Sequence, residues 1–310
     1  VIAGKLAFAA RDAADYPAVG DWVMLDREDD SAGNAVIRHI LPRRGIFARK
    51  AAGKSGHGQI VAANIDTVFI CMSLNADFNL RRLERYLAVA WDGLATPVVV
   101  LTKSDLCGDV AGKVAEVSAA ALGVDVLVTT GMDADGHAAV KKYVTAGQTV
   151  ALLGSSGVGK STLINRLAGK DIMATRETGE NDKGRHATTH RQLIALPGGG
   201  VVIDTPGMRE LRLEGADLSG TFADIEELAQ NCRFKDCTHT REPGCAVKAA
   251  EKRGELPPGR LGSFRKLQSE LDSQGLNARR REQEKINRLF GGKSAMKKAM
   301  AAAKEKNRRK

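Results

Sequence analysis

The chain has 310 residues, 43% of them hydrophobic, enough apolar material for two or three packed domains. No apolar run reaches the roughly 18 residues of a membrane-spanning helix, and Val1-Ile2-Ala3-Gly4-Lys5 has no leader pattern. The net charge of +10 points to a polyanionic partner.

In chain order, residues 1–57 read as short strands with turns. Lys5–Ala10, Asp21–Asp26 and Ala35–Leu41 are the candidate strands, and Pro17, Gly20 and Gly33 punctuate them. This predicts a small β-barrel of the OB-fold kind, whose common use is oligonucleotide binding. From Arg38 to Ile65 there is no Asp or Glu, while Arg38, Arg43, Arg44, Arg49, Lys50 and Lys54 are basic. The stretch is either a solvated rim or a patch contacting RNA phosphates. The basic balance of the whole chain favours the second.

Residues 58–220 alternate strand-like and helix-like runs, which predicts an α/β domain with a doubly wound parallel sheet. Thr67–Leu74 opens the sheet and Asn79–Trp91 reads as an amphipathic helix. Pro97–Leu101 is the next strand, and it closes on Thr102-Lys103-Ser104-Asp105. That string fits the guanine reader [NT]-K-x-D. Guanine presents N1–H and N2–H₂ side by side, and the Asp105 carboxylate accepts from both. Adenine lacks this pair of donors. Lys103 would lie along the base. Thr102 stands where Asn is commoner, which shortens or removes one polar contact. The alternative is a helix N-cap at Ser104 or Asp105. A further strand, Asp125–Val128, leads into Thr129-Thr130-Gly131, where Thr130 is a candidate for a second loop at the base edge.

Thr149–Leu153 reads as a strand and Thr162–Ala168 as a helix. Between them Gly154-Ser155-Ser156-Gly157-Val158-Gly159-Lys160-Ser161 fits the phosphate-binding pattern G-x-x-x-x-G-K-[ST]. The glycines let backbone N–H groups converge on phosphate oxygens, and the helix start at Thr162 adds positive dipole character. Lys160 would reach the β- and γ-phosphates, and Ser161 would bind Mg²⁺ with GTP. The run Val201–Ile203 ends in Asp204-Thr205-Pro206-Gly207. Asp-x-x-Gly at a strand end suits a carboxylate on the Mg²⁺ side and a glycine N–H that senses the γ-phosphate, here Gly207. Alone it is also good turn chemistry.

The base reader precedes the phosphate loop, the reverse of ordinary GTPases. The domain therefore reads as circularly permuted, a rearrangement tolerated where chain ends lie close together. One consequence is that the segment after Gly207 leads straight into the next domain.

Residues 221–290 hold Cys232-x4-Cys237-x-His239-x5-Cys245, three of the five cysteines plus an imidazole. Cys₃His is a common structural zinc set with no open position. Scattered free thiols are the alternative. Cys71 and Cys107 read as bystanders. A cytoplasmic setting is expected, so disulfides are not. Residues 291–310 are a basic tail. Arg279–Lys310 carries 13 Lys/Arg and 3 Asp/Glu, which equals the excess of the whole chain. It reads as a helical arm for RNA, with a membrane surface as the weaker option because only Leu289 and Phe290 cluster there.

These residues together resemble the circularly permuted ribosome small subunit-dependent GTPase A family, also called RsgA or YjeQ. The resemblance rests on Gly20-Asp21-Trp22-Val23, Leu41-Pro42-Arg43-Arg44, the permuted motif order, Gly184-Arg185-His186-Ala187-Thr188-Thr189, Asp204-Thr205-Pro206-Gly207 and Asp236-Cys237-x-His239-x-x-Glu242-Pro243-Gly244-Cys245. It implies an N-terminal OB-fold, a permuted GTPase domain and a mainly helical zinc-binding domain. It also implies a late assembly factor that docks on the 30S ribosomal subunit, touches 16S rRNA and leaves after GTP becomes GDP. The family's first switch is commonly Arg-His-Thr-Thr-Thr, and here Ala187 takes the first Thr position. By alignment Thr188 is then the Mg²⁺ and γ-phosphate ligand, with Thr189 the fallback. Met208 occupies the place where many GTPases carry a water-positioning Gln, so His186 becomes the catalytic candidate, against the reading of an exposed loop histidine. No feature argues for an oligomer, and a monomer is expected. Two other readings stay open: an RNA-binding module using GTP only to set its shape, and a P-loop ATPase acting on nucleic acid.

Overall fold

The computed structural model describes residues 1–10, 13–27, 33–50, 58–130, 137–173, 192–204 and 217–273. The first unit opens on a helix, α1, at Gly4–Ala9, where the sequence pattern predicts a strand over Lys5–Ala10. The reason lies in the residues: Lys-Leu-Ala-Phe-Ala has no β-branched side chain and is made mostly of good helix formers. Val23–Leu25 (β1) and Ile37–Ile40 (β2) pair antiparallel, inside two of the expected strands. Ile46–Lys50 (β3) pairs antiparallel with Gly58–Ala63 (β4). Among the described residues these are two separate two-stranded sheets and do not close into one barrel. The division expected between residues 57 and 58 falls inside the β3–β4 pair, so the β-structure of this unit runs on to Ala63.

Two contacts tie this unit together. Gly20 has φ +91°, and a Cβ there would lie 2.1 Å from the Ala63 carbonyl oxygen, so only glycine lets this turn lie against β4. The Arg43 fork donates to both carboxylate oxygens of Asp21 at 2.7 Å, and also to the carbonyls of Ala14 and Tyr16.

The central sheet is built from Thr67–Ser73 (β5), Thr96–Thr102 (β6), Asp125–Val128 (β7), Thr149–Leu153 (β8), Gln192–Ala195 (β9) and Val201–Asp204 (β10). Its order is β7-β6-β5-β8-β10-β9, parallel throughout except for the antiparallel edge strand β9. The helices α2 (Leu80–Asp92), α3 (Val110–Ala120), α4 (Ala138–Lys141) and α5 (Lys160–Ala168) connect the strands. The helix expected over Asn79–Trp91 is α2, and Asn79 caps it by accepting from the Arg82 N–H at 3.0 Å.

The period of two along the strands splits the core. Val68, Ile70 and Met72 of β5 join Val99, Leu101, Leu153 and Leu87 on one face. Phe69 and Cys71 join Val100, Leu152 and the α5 residues Leu163, Ile164 and Leu167 on the other. All of β5 is buried, as expected of a central parallel strand covered on both sides.

The C-terminal unit has α6 (Ala223–Ala229), α7 (Ala246–Arg253) and a helical segment over 260–273. Its Phe222, Ile225, Val247, Leu261 and Phe264 belong to the same apolar cluster as the α2 face of the sheet. Arg260 is the polar bolt of this junction. Its side chain is 1% exposed and pairs with Glu84 of α2 and Asp224 of α6, both at 2.9 Å. It also donates to the carbonyls of Ala120 and Thr221. Burial alone would lower the guanidinium pKa, but Asp224 and Glu84 outweigh that and raise it. A second pair, Arg85 with Glu270, joins α2 to the 260–273 helix. Among the described residues no helix is long and apolar enough to cross a membrane.

Candidate active site

Because five of the six strands are parallel, their carboxyl ends share one edge of the sheet. The chain leaves β5 in one direction for β6 and β7, and in the other for β8 and β10. The crevice between β5 and β8 is thus a switch point, where open α/β sheets bind ligands.

The phosphate loop lies in this crevice, between β8 and α5. Gly154, Gly157 and Gly159 have φ of +150°, +72° and +94°. A Cβ on Gly154 would come 2.5 Å from the Cys71 carbonyl oxygen of β5, so the loop passes too close to the strand for any side chain. Lys160 folds back over the loop, and its Nζ donates to the carbonyls of Gly154 at 2.9 Å and Ser155 at 2.6 Å. The ammonium is therefore held over the loop mouth, at the start of α5, where a phosphate would meet it. Ser161 and Thr162 lie in the first turn of α5. Beneath the loop, burial pushes the Cys71 thiol up to about 12, against a smaller opposing pull from Lys160. It is a neutral core thiol.

The base-reader loop leaves β6 beside the phosphate loop. Thr102 is buried, and its hydroxyl donates to the Val158 carbonyl at 2.6 Å. The polar contact expected to be weakened by Thr in place of Asn is made instead inside the protein, as a direct tie between the two loops. Lys103 has φ +57°, a left-handed backbone that costs a non-glycine residue about 1–2 kcal/mol. Asp105 does not cap a helix. Ser104–Leu106 is a single 3₁₀ turn, and Asp109 caps α3 by accepting from the Gly112 N–H at 2.8 Å. Asp105 instead accepts from the Thr130 hydroxyl at 2.9 Å, and the Ser104 N–H reaches the Thr129 carbonyl at 3.4 Å. The 102–105 loop and the 129–130 loop form one clasp, with an exposed carboxylate at its centre.

Asp204 ends β10 at the same edge. Ile203 is in register with Ala151, which sets Asp204 level with β8 just short of Gly154. His186, Thr188 and Gly207, and with them Arg185, Thr189 and Met208, lie outside the described residues. The tail over 279–310 does as well.

A second cluster sits in the C-terminal unit. The donor atoms of Cys232, Cys237, His239 and Cys245 all lie within 4.8 Å of one another. Nδ1 of His239 is 3.7 Å from the Cys232 sulfur and 3.5 Å from the Cys245 sulfur, and those sulfurs are 3.9 Å apart. A tetrahedron with Zn–S of about 2.3 Å and Zn–N of about 2.1 Å has edges of about 3.8 Å (S···S) and about 3.6 Å (S···N). The cluster fits one zinc ion. Burial lowers the His239 pKa, which favours the neutral, metal-binding imidazole. Of the four non-glycine residues with positive φ among the described residues, Lys103 and His239 fall in these two sites.

Glu242 braces the metal loop. Its carboxylate accepts from the N–H groups of Thr238, Thr240 and Arg241 at 3.1, 2.8 and 2.9 Å, and from the Thr238 hydroxyl. These bonds, the Thr238 hydroxyl foremost, lower its pKa from 4.5 to about 2. The brace is thus fully charged above pH of about 4.5 and is lost only as pH falls through about 2. Glu242→Ala is expected to speed zinc loss to a chelator at neutral pH by about tenfold. An unchanged release rate would show that the loop holds its shape without the brace.

Of the residues expected to meet RNA, Arg43 is committed to Asp21 and to the carbonyls of Ala14 and Tyr16. It is a structural residue of the first unit, a correction to the sequence expectation. Arg38 and Arg44 have side chains 56% and 73% exposed, each with an acidic neighbour, Asp26 and Asp66. Arg49 and Lys50 lie on β3.

Comparison with known proteins places these features in context. The family model described as RsgA GTPase matches residues 40–214. An ABC transporter family model also matches, over residues 138–296. That stretch holds the phosphate loop common to P-loop nucleotide-binding folds and omits the 102–105 loop. The chain is 56% identical over 297 residues to the small ribosomal subunit biogenesis GTPase RsgA 2 of Lactiplantibacillus plantarum, covering 96% of this chain and 84% of that protein. It is 51% identical to the RsgA of Opitutus terrae, covering 86% and 76%. Among solved structures, YjeQ from Thermotoga maritima superimposes with a TM-score of 0.65 at 27% identity, over 87% of this chain and 88% of that one. The circularly permuted GTPase YloQ gives 0.60 at 28% identity, over 84% and 82%.

Proposed function

Because this chain belongs to the RsgA GTPase family, we propose that it hydrolyses GTP to GDP and phosphate during late maturation of the 30S ribosomal subunit. The observation that carries the nucleotide part is the Thr102–Val158 hydrogen bond. It joins the base reader after β6 to the phosphate loop after β8, across the intervening strand β5.

In this reading Asp105 accepts the two guanine donors and Lys103 lies along the base. Backbone N–H groups of the 154–159 loop and the Lys160 ammonium hold the phosphates. A Mg²⁺ ion bound with GTP would be held by Ser161 and Thr188, with Asp204 on its outer side, and would neutralise charge building on the phosphates. The Met208 thioether has no proton to donate and is only a weak acceptor, so His186 orients the attacking water. The switch is ordered by the ribosome, which makes the enzyme slow alone and fast on its partner. One structural zinc holds the 232–245 loop. The two hairpin sheets of the N-terminal unit and the basic tail meet 16S rRNA, with Arg38, Arg44, Arg49 and Lys50 as phosphate contacts. The protein acts as a cytoplasmic monomer.

The test is phosphate release from GTP and ATP, with and without purified 30S subunits. Release that is specific for GTP and rises at least tenfold with 30S is expected. GTP binding with no stimulation would move the protein to the class of RNA-binding modules that use GTP only to set their shape.

A further inference from the structure

The phosphate loop carries three glycines with positive φ and so has little stiffness of its own. Two of its tethers come from nucleotide-site residues, Lys160 on the loop carbonyls and Thr102 on Val158. A third comes from outside every nucleotide motif. The Ser155 hydroxyl donates to Oδ2 of Asp77, in the segment between β5 and α2.

That segment is well fixed. Asn75 Oδ1 accepts from the Ser73 hydroxyl at 2.8 Å and from the Asp77 N–H at 3.0 Å, and Asn79 caps α2. Oδ2 of Asp77 also meets Arg82 of α2 at 2.8 Å, and Arg82 donates to the Asp77 carbonyl. An unpaired carboxylate beside a triphosphate site would repel its ligand. The Arg82 charge offsets that repulsion and leaves the hydrogen bond.

We infer that Asp77 is a positioning residue for GTP, fixing the first limb of the phosphate loop through Ser155, with Arg82 neutralising it. The inference rests on the GTPase reading above. Its effect falls on nucleotide affinity and not on the hydrolytic step, because Asp77 acts through Ser155 and touches no reacting atom. It falls on GDP and GTP alike and leaves the guanine preference set by Asp105 unchanged.

The test is a double-mutant cycle with Asp77→Ala, Ser155→Ala and the double variant, reading equilibrium binding of fluorescent GDP and GTP. A hydrogen bond to a charged acceptor is worth about tenfold in affinity. Each single variant is expected to weaken both nucleotides by about tenfold, and the double variant by no more than either single one. Asp77→Asn keeps an acceptor for Ser155 and is expected to recover affinity to within about threefold of the unaltered protein. For Asp77→Ala, hydrolysis at saturating GTP is expected to stay within about threefold while KM rises. An additive cycle, or Asp77→Asn as weak as Asp77→Ala, would overturn the assignment. Failure of the unaltered protein to bind guanine nucleotides would instead sink the GTPase reading.

Discussion

Asp105→Asn lowers GTP affinity by about 100-fold and raises affinity for xanthosine triphosphate. In the proposed guanine site the carboxylate would accept from N1–H and N2–H₂, and each hydrogen bond to a charged group is worth about 1.5–3 kcal/mol. An amide keeps one acceptor and turns a donor toward the N2 amine, so the loss is about 3 kcal/mol. Xanthine carries an oxygen where guanine carries N2, and the amide matches it. The Thr130 hydroxyl, 2.9 Å from Oδ1, still has an acceptor available, so the clasp itself survives. Competition binding with GTP, ATP and xanthosine triphosphate reads the effect. An unchanged ratio of GTP to ATP affinity would return the protein to the ATPase reading.

Arg260→Met destabilises the protein by about 3–5 kcal/mol, because it strands the Glu84 carboxylate, whose side chain is 5% exposed, without a counter-charge. It also removes donors from the carbonyls of Ala120 and Thr221. Urea unfolding followed by circular dichroism measures the loss. Adding Glu84→Gln to Arg260→Met is expected to restore part of it, since the amide can be buried neutral. A loss below about 1 kcal/mol would mean that the junction is hydrated and that the C-terminal unit is docked by Phe222, Val247 and Phe264 alone.

The chemistry-bearing loops were readable in the sequence because phosphate binding and metal binding constrain residue type at fixed spacing. The P-loop, the 102–105 string and the Cys₃His set needed no knowledge of the fold, and the strands at Thr67–Ser73, Asp125–Val128 and Thr149–Leu153 followed from their apolar runs. What failed was local propensity without periodicity. The Gly4–Ala9 helix was read as a strand from apolar content, and β3 and β4 lay hidden in a segment weighed for its charge. The long-range polar contacts left no trace in sequence order. Arg260 reaches Glu84 across 176 positions and Ser155 reaches Asp77 across 78, and no spacing rule anticipates either. Thr102 is the instructive case. Its residue type pointed to a weakened ligand contact, and only the geometry places its hydroxyl on the Val158 carbonyl, where it joins two halves of one site.

The most direct test of a guanine site assembled from permuted pieces is competition against bound fluorescent GDP. Unlabelled GTP and GDP are expected to displace it at similar concentrations, and ATP only at concentrations at least about 100-fold higher. Displacement by ATP as readily as by GTP would contradict the account, because Asp105 and Thr130 would then read no base.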